Sequence, residues 1–302
     1  MQPVQGTAAV PWAVEPGTRR VLAFILGSGR ETGRGPVRQV SMTTVILPIA
    51  VVGYVVGIVL AVVATVYRSR AAHRAASVVF AITWVAHLLG IVQYAVATGR
   101  VPLSSMGEFL LVFGWTVMSF HLYVWFRLRV EVTGLVLPPL AGLATLSSLQ
   151  LLSAAIGQPS ARGPWFLFHT TVSTLGLATL CVAFAMSLIF LIQHRSLKMG
   201  KTLRAMDRLP ALDEADQVGF QALTLGFVLL TLGIVAGVMV NSSVHHRLWS
   251  PEPKQVFSLL AWIVFAGILI ARSALGFRGT RSAYLTIAGF ALGLLTVVGM
   301  TL

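Results

Sequence analysis

Thr43-Thr-Val-Ile-Leu-Pro-Ile-Ala-Val-Val-Gly-Tyr-Val-Val-Gly-Ile-Val-Leu-Ala-Val-Val-Ala-Thr-Val-Tyr67 carries no charge and runs straight into Arg68-Ser-Arg-Ala-Ala-His-Arg74. A helix of about 20 apolar residues crosses a hydrocarbon core of roughly 30 Å, so residues 43–67 read as a membrane span with a basic exit. Seven further runs of the same kind lie at 76–97, 109–126, 132–152, 165–192, 217–240, 255–273 and 283–300. The expected fold is therefore all-α, a polytopic membrane helix bundle of about eight transmembrane helices. Composition agrees: 56% of the 302 residues are hydrophobic and only 10% charged, and the mean hydropathy is +0.85, far from the roughly one-quarter charged residues of soluble chains. No stretch is left for a soluble domain of ordinary size.

A net charge of +13 would suggest nucleic acid in a soluble protein. Here the cations sit in short connections beside spans, so the expected contact is the lipid bilayer and no nucleic acid. Connections 1/2, 3/4, 5/6 and 7/8 hold Arg68, Arg70, Arg74, Arg127, Arg129, Arg195, Lys198, Lys201, Arg204, Arg208, Arg272, Arg278 and Arg281. The alternate connections hold only Arg100, Arg162, Arg247 and Lys254. The positive-inside rule then places the first set in the cytoplasm and the Trp249 loop on the outer face of a bacterial inner membrane.

Residues 1–41 break the pattern, with five Arg on what would be the outer side. They are Gly-, Pro- and Arg-rich without a span-length apolar run, and they precede Met42-Thr-Thr-Val-Ile-Leu-Pro48, which has the look of a natural start. Residues 1–41 are read as a disordered or mis-called extension, and 42–302 as the transmembrane domain. Gly27-Ser-Gly-Arg-Glu-Thr-Gly-Arg-Gly35 fits neither the dinucleotide fingerprint nor the phosphate loop with its Gly-Lys-Ser/Thr. Cys181 is the single cysteine, which excludes an internal disulfide, a Cys-x-x-Cys pair and a thiolate metal cluster. Lying mid-span, it reads as a small packing residue.

The connections are short, as neighbouring antiparallel helices require. The longest, His194 to Pro210, is basic and amphipathic, either lying on the inner membrane surface or forming a solvated linker. Asp213 or Asp216 is placed to cap span 6. Gly226, Gly233 and Gly237 in span 6, and Gly289, Gly293 and Gly299 in span 8, permit close approach of helices.

Polar residues in hydrocarbon need a partner or a task. His87 and His121 lie deep in spans 2 and 3 with no acid three or four residues away, so an interhelical hydrogen bond is the simplest account of each. His169 opens span 5 in Trp165-Phe-Leu-Phe-His-Thr-Thr171, at the same end as His245 and His246 in Asn241-Ser-Ser-Val-His-His-Arg247. Beside them runs Trp249-Ser-Pro-Glu-Pro-Lys-Gln-Val-Phe-Ser-Leu-Leu-Ala-Trp262. Neutral imidazoles are axial ligands of haem iron, and aromatic rings with a few basic groups suit a porphyrin and its propionates. The alternative is an interfacial histidine and ordinary loop polarity. Glu108 sits where a helix dipole favours a carboxylate, and Glu252 and Lys254 can pair with each other. No Ser/His/Asp set, metalloprotease helix or paired intramembrane acid provides hydrolytic chemistry.

Four segments carry a resemblance. Val101-Pro-Leu-Ser-Ser-Met-Gly-Glu-Phe-Leu110 is similar to a Pro-Leu-Ser-Asn-x-x-Glu-Ser-Leu segment; Phe168-His169 and Leu191-Ile-Gln-His-Arg-Ser-Leu-Lys198 to a fifth helix and its exit. Leu209-Pro-Ala-Leu-Asp213 with Leu225-Gly-Phe-Val-Leu-Leu-Thr-Leu-Gly233 resembles Leu-Pro-x-Leu and Gly-Phe-Pro-Leu-Leu-Thr-Leu-Gly, and Trp249 to Trp262 resembles a Trp-x-Trp-Asp-Pro-Lys-Glu signature. Together they resemble the membrane haem-handling proteins of cytochrome c assembly, the CcsA and ResC type with its HemX-like and YpjD-like relatives. The resemblance covers roughly residues 80–300.

It implies haem as cofactor, His169 as an external axial ligand, and Trp249, Pro253, Lys254 and Trp262 as porphyrin-holding positions. Glu252, His87 and Glu108 complete the candidate set, with His169, His245 and His246 toward haem iron. The chain departs from the pattern at Pro251 (Trp), Glu252 (Asp), Gln255 (Glu) and Ile270, where an intramembrane histidine is expected; a further external histidine would follow Leu302. These departures resemble the HemX-like and YpjD-like branch. The expected function is haem handling at the outer face during cytochrome c assembly, at most as part of a haem lyase complex with a second assembly subunit and apocytochrome c. The alternative is a HemX-like, non-enzymatic regulator of haem biosynthesis that has lost the site. A transporter of another class would show repeated halves, and no internal repeat is visible.

Overall fold

Eight helices long and apolar enough to cross a membrane succeed one another in the computed structural model, which describes residues 46–99, 101–152, 163–200, 210–245 (backbone alone at 244 and 245) and 252–299. They are α1 (Ile46–Val66), α2 (Arg70–Thr98), α3 (Met106–Arg127), α4 (Leu137–Leu152, entered through a 3-10 turn at Glu131–Leu135), α5 (Pro164–Lys198), α6 (Leu212–His245), α7 (Pro253–Leu275) and α8 (Thr280–Val298). Among the described residues every element is helical, so the all-α membrane bundle stands. The expectation for residues 1–41 lies outside the described residues.

Local chemistry sets the helix ends. Ser69 caps α2 by accepting from the Ala72 N–H at 3.2 Å, and Ser105 with Glu108 forms a reciprocal capping box at α3. Pro164 and Pro253 occupy the first turns of α5 and α7, where a missing N–H costs nothing. Gly276, at φ +63°, closes α7 in the left-handed conformation that glycine adopts without strain.

The helices extend past several expected span ends, by six residues at the start of α2 and the end of α5. α5 runs 35 residues, roughly 52 Å at about 1.5 Å per residue, well beyond a core of about 30 Å. His194 to Lys198 therefore continue the axis of α5 rather than lying along a membrane surface; residues 201–209 lie outside the described set. At the start of α6, Asp213 and Glu214 occupy the first turn, while Asp216 is committed to Arg272 of α7. Asp216 is a tertiary partner, not a cap.

α5 is the central helix. Two-thirds of its membrane window (67%) is buried, against 22% in α6 and 17% in α7. α6 lies along it, α3 and α8 pack on its other sides, α7 pairs with α8, and α1 packs against both α2 and α4, each of which adjoins α3. The α5–α6 seam is antiparallel and built on glycine: Gly226 sits under Leu180, Gly233 under Ser173, and Gly237 under His169. α7 and α8 meet likewise, Gly289 against Phe265 and Gly299 against the Lys254 backbone, whereas Gly293 makes only ordinary contact with Leu177.

Candidate functional site

The end of the bundle where α5 and α7 begin holds His169, Glu252, Pro253 and Lys254. His169 lies in the second turn of α5 and is half-buried. Its Nδ1 is 2.8 Å from the carbonyl oxygen of Gly233 on α6. A carbonyl can only accept, so Nδ1 carries the proton, and when the ring is neutral its lone pair is on Nε2. The ring rests on Gly237, where an added Cβ would stand 3.0 Å from Cε1 and 3.2 Å from Nδ1.

From the same end, Glu252 and Lys254 open α7 as an ion pair at 2.5 Å, each side chain more than two-fifths exposed. Their pairing fulfils the simpler sequence reading. Glu252 precedes Pro253 and its carbonyl accepts from Gln255 at 2.9 Å and Val256 at 3.1 Å, starting the helix. The Lys254 charge lies close enough to act on the His169 imidazole. The imidazole opening α5 and Lys254 at the start of α7 thus lie near one another.

Trp262 lies nine residues into α7. Its indole N–H donates to Thr231 Oγ1 at 2.9 Å and its ring tilts against Phe227 at 5.5 Å, so this tryptophan ties α7 to α6. Trp165 and Phe168, one turn and one residue before His169, are 55% and 47% exposed and meet edge to face. The His245 backbone ends α6, roughly 12 Å along the axis beyond Gly237 at about 1.5 Å per residue. Its side chain, His246 and Trp249 lie outside the described residues.

Glu108 and His87 stand apart, in the half formed by α1 to α4. Glu108 is fully buried and its oxygens accept from the Ser104 N–H at 2.7 Å, the Ser105 N–H at 3.2 Å and the Tyr94 hydroxyl at 2.9 Å. His87 meets the Tyr54 hydroxyl through Nδ1 at 2.9 Å, and His121 meets Thr133 through Nδ1 at 3.2 Å, the interhelical bonds expected of both. Among the described residues no hydrogen-bond partner reaches Nε2 of the buried His121 ring. Cys181 is buried in the α5 core, as a packing residue should be. Ile270, the position of the expected intramembrane histidine, is 65% exposed and so faces out of the bundle. Among the described residues no group of three or more His, Cys, Asp or Glu side chains converges to hold a bare metal ion.

Haem needs less than that from protein: an imidazole lone pair and an apolar, aromatic surround. His169 fits on the chemistry of its donor set. Its Nδ1–H is engaged by a backbone carbonyl, the arrangement that orients a metal-binding imidazole. Gly233 and Gly237, read from the sequence only as packing positions, are the residues that hold the ring, one through its carbonyl and the other through its bare surface. The Gly-xxx-Gly spacing had signalled close packing without naming what packs there. His73 was unmarked as well, and it pairs with Glu131 at the opposite end.

The family model described as cytochrome C assembly protein matches residues 74–302. The chain is similar to the cytochrome c biogenesis protein CcsA of Microcystis aeruginosa, 28% identical over 253 residues, covering 68% of this chain and 77% of that protein. It is also similar to the CcsA proteins of Trieres chinensis, 26% identical over 227 residues (65% and 73% covered), and Guillardia theta, 26% over 215 residues (65% and 71%).

Proposed function

From the premise that this multi-pass membrane chain belongs to the cytochrome c assembly protein family, we propose that it serves cytochrome c biogenesis by handling haem at the end of the bundle where α5 and α7 begin. The observation that carries the reading is His169. It presents a neutral imidazole with Nδ1–H bonded to Gly233 and Nε2 unprotonated, beside the turn that holds Lys254.

In this reading His169 would hold haem iron through Nε2, and His245 or His246 would be the second imidazole to hold it. Trp249, Glu252, Pro253, Lys254 and Trp262 frame the porphyrin, with Lys254 suited to a propionate. His87 and Glu108 belong to the supporting α1–α4 half. Haem, when bound, supplies the group that is to be attached to a cytochrome; this chain's part is to hold and orient it. The side bearing Arg68, Arg127 and Arg272 faces the cytoplasm of a bacterial inner membrane and the His169 end faces outward. The working partners are a second assembly subunit and apocytochrome c, because attachment needs cysteine thiols that this chain does not offer: Cys181 is buried.

A specific observation favours a second reading. Ile270 occupies an outward-facing position where the family pattern expects an intramembrane histidine, which suits a HemX-like regulator without the full site.

Absorbance of detergent-purified protein, expressed with ample haem, separates the two. A Soret band that weakens in His169→Ala, and weakens further when both 245 and 246 are replaced, is the expected result. Colourless wild-type protein would overturn the haem reading and leave the regulator.

A further inference from the structure

We infer that the Gly233-Ile-Val-Ala-Gly237 segment of α6 is the positioning element of the His169 ligand, fixing both its tautomer and the plane of its ring. The inference rests on the haem reading above and says what makes that site selective for one ring nitrogen.

A free neutral imidazole can carry its proton on either nitrogen, and a nitrogen bearing a proton has no lone pair to give to a metal. On α6 the choice is made by the main chain. The Gly233 carbonyl takes the Nδ1 proton at 2.8 Å, leaving Nε2 as the only donor nitrogen. Four residues on, which is one helical turn, Gly237 provides the floor. Any Cβ there would press on Cε1 at 3.0 Å and Nδ1 at 3.2 Å, while Nε2 lies farther away at 3.8 Å. A side chain at 237 would therefore push the Nδ1 edge of the ring away from its acceptor.

The spacing explains why both glycines are needed. Gly233 lies under Ser173, where an added Cβ would stand 2.7 Å from Oγ, so α6 must run close to α5 for its carbonyl to reach the ring. The same seam uses Gly226 under Leu180, where an added Cβ would be 2.7 Å from Cδ2. That third notch packs the same two helices without touching His169. It supplies the control for a purely structural role.

The test takes the full chain in detergent and reads two things. In wild-type protein labelled with nitrogen-15 histidine, with His169→Gln for assignment, the His169 signals should show a protonated Nδ1 and a bare Nε2. In Gly237→Ala that signature should give way to the Nε2–H form or a mixture. The Soret band after haem-supplemented expression should fall at least severalfold and recover on adding free imidazole. Gly226→Ala should alter thermal stability while keeping the wild-type tautomer and absorbance. An Nε2–H wild-type His169, or a Gly237→Ala protein with unchanged tautomer and absorbance, overturns the positioning role while the haem reading stands. Equal loss in Gly226→Ala reduces it to helix packing and overturns it too. Colourless wild-type protein overturns the haem reading and this inference with it.

Discussion

Arg272 grips Asp216 through both guanidinium nitrogens, at 2.8 Å and 2.6 Å, from 56 residues away along the chain. The two side chains are only 9% and 16% exposed, and the guanidinium also lies 4.1 Å above the Phe220 ring. Like the Trp262–Thr231 bond, this pair ties α7 to α6. Removing one partner strands a largely desolvated charge, so Arg272→Ala should cost about 3 kcal/mol. The double change Asp216→Asn with Arg272→Met should cost less than either charge deletion alone. Thermal melts in detergent decide it: a single mutant as stable as wild type would show the pair to be incidental.

Glu108 makes a sharper case because its bonds can be removed separately. Ser105→Ala loses one side of the capping box and should cost about 1 kcal/mol. Glu108→Ala removes the acceptor for Tyr94 and for two backbone N–H groups at once, and should cost about twice that or more. Ranking the three proteins by midpoint of unfolding tests the order; Ser105→Ala as the weaker variant would contradict it.

How much of this could be read beforehand depends on the range of the interaction. Span positions follow from hydropathy, a local property, and every expected span falls on a helix. The end of α5 does not, because charge ends a membrane crossing without ending a helix, and Lys198 extends the axis. Asp216 looked like a cap because capping is the local use of an aspartate near a helix start; its real partner is on another helix. His169 was a candidate from its place at a span entrance. Its seat was not visible there, since only the antiparallel register of α5 on α6 brings position 169 over Gly237 rather than over a bulky neighbour. The family likeness named a role for the Trp249–Trp262 segment but could not show that the Trp262 N–H is already used within the bundle.

That N–H gives a third prediction. Trp262→Phe and Thr231→Val each break the same bond, so each should cost about 1 kcal/mol, and the double mutant should cost no more than roughly the larger single. A double-mutant cycle on thermal unfolding measures the coupling. Strictly additive losses would mean that the two residues act through different contacts, leaving Arg272–Asp216 as the polar tie between α6 and α7 that stands.

Glycines of the bundle should answer alanine with opposite signs, because alanine favours a helix by up to about 1 kcal/mol wherever its methyl has room. Gly267, on the exposed face of α7, has nothing within 4 Å of an added Cβ, so Gly267→Ala should raise the melting temperature slightly. Gly57 is the contrary case. A Cβ there would run into the Phe80 ring, which is fully buried between α1 and α2 and packs edge to face on His121 at 5.2 Å. The ring cannot swing clear without opening that cluster, so Gly57→Ala should lose about 1–3 kcal/mol despite its better helix propensity. Parallel melts of the two variants compare them under one set of conditions. Destabilisation of both would mean that the α7 face at Gly267 is covered in the working protein by something that a methyl displaces. Stabilisation of both would mean that α1 can shift on α2, and that the close fit at Phe80 is not what holds the first two spans together.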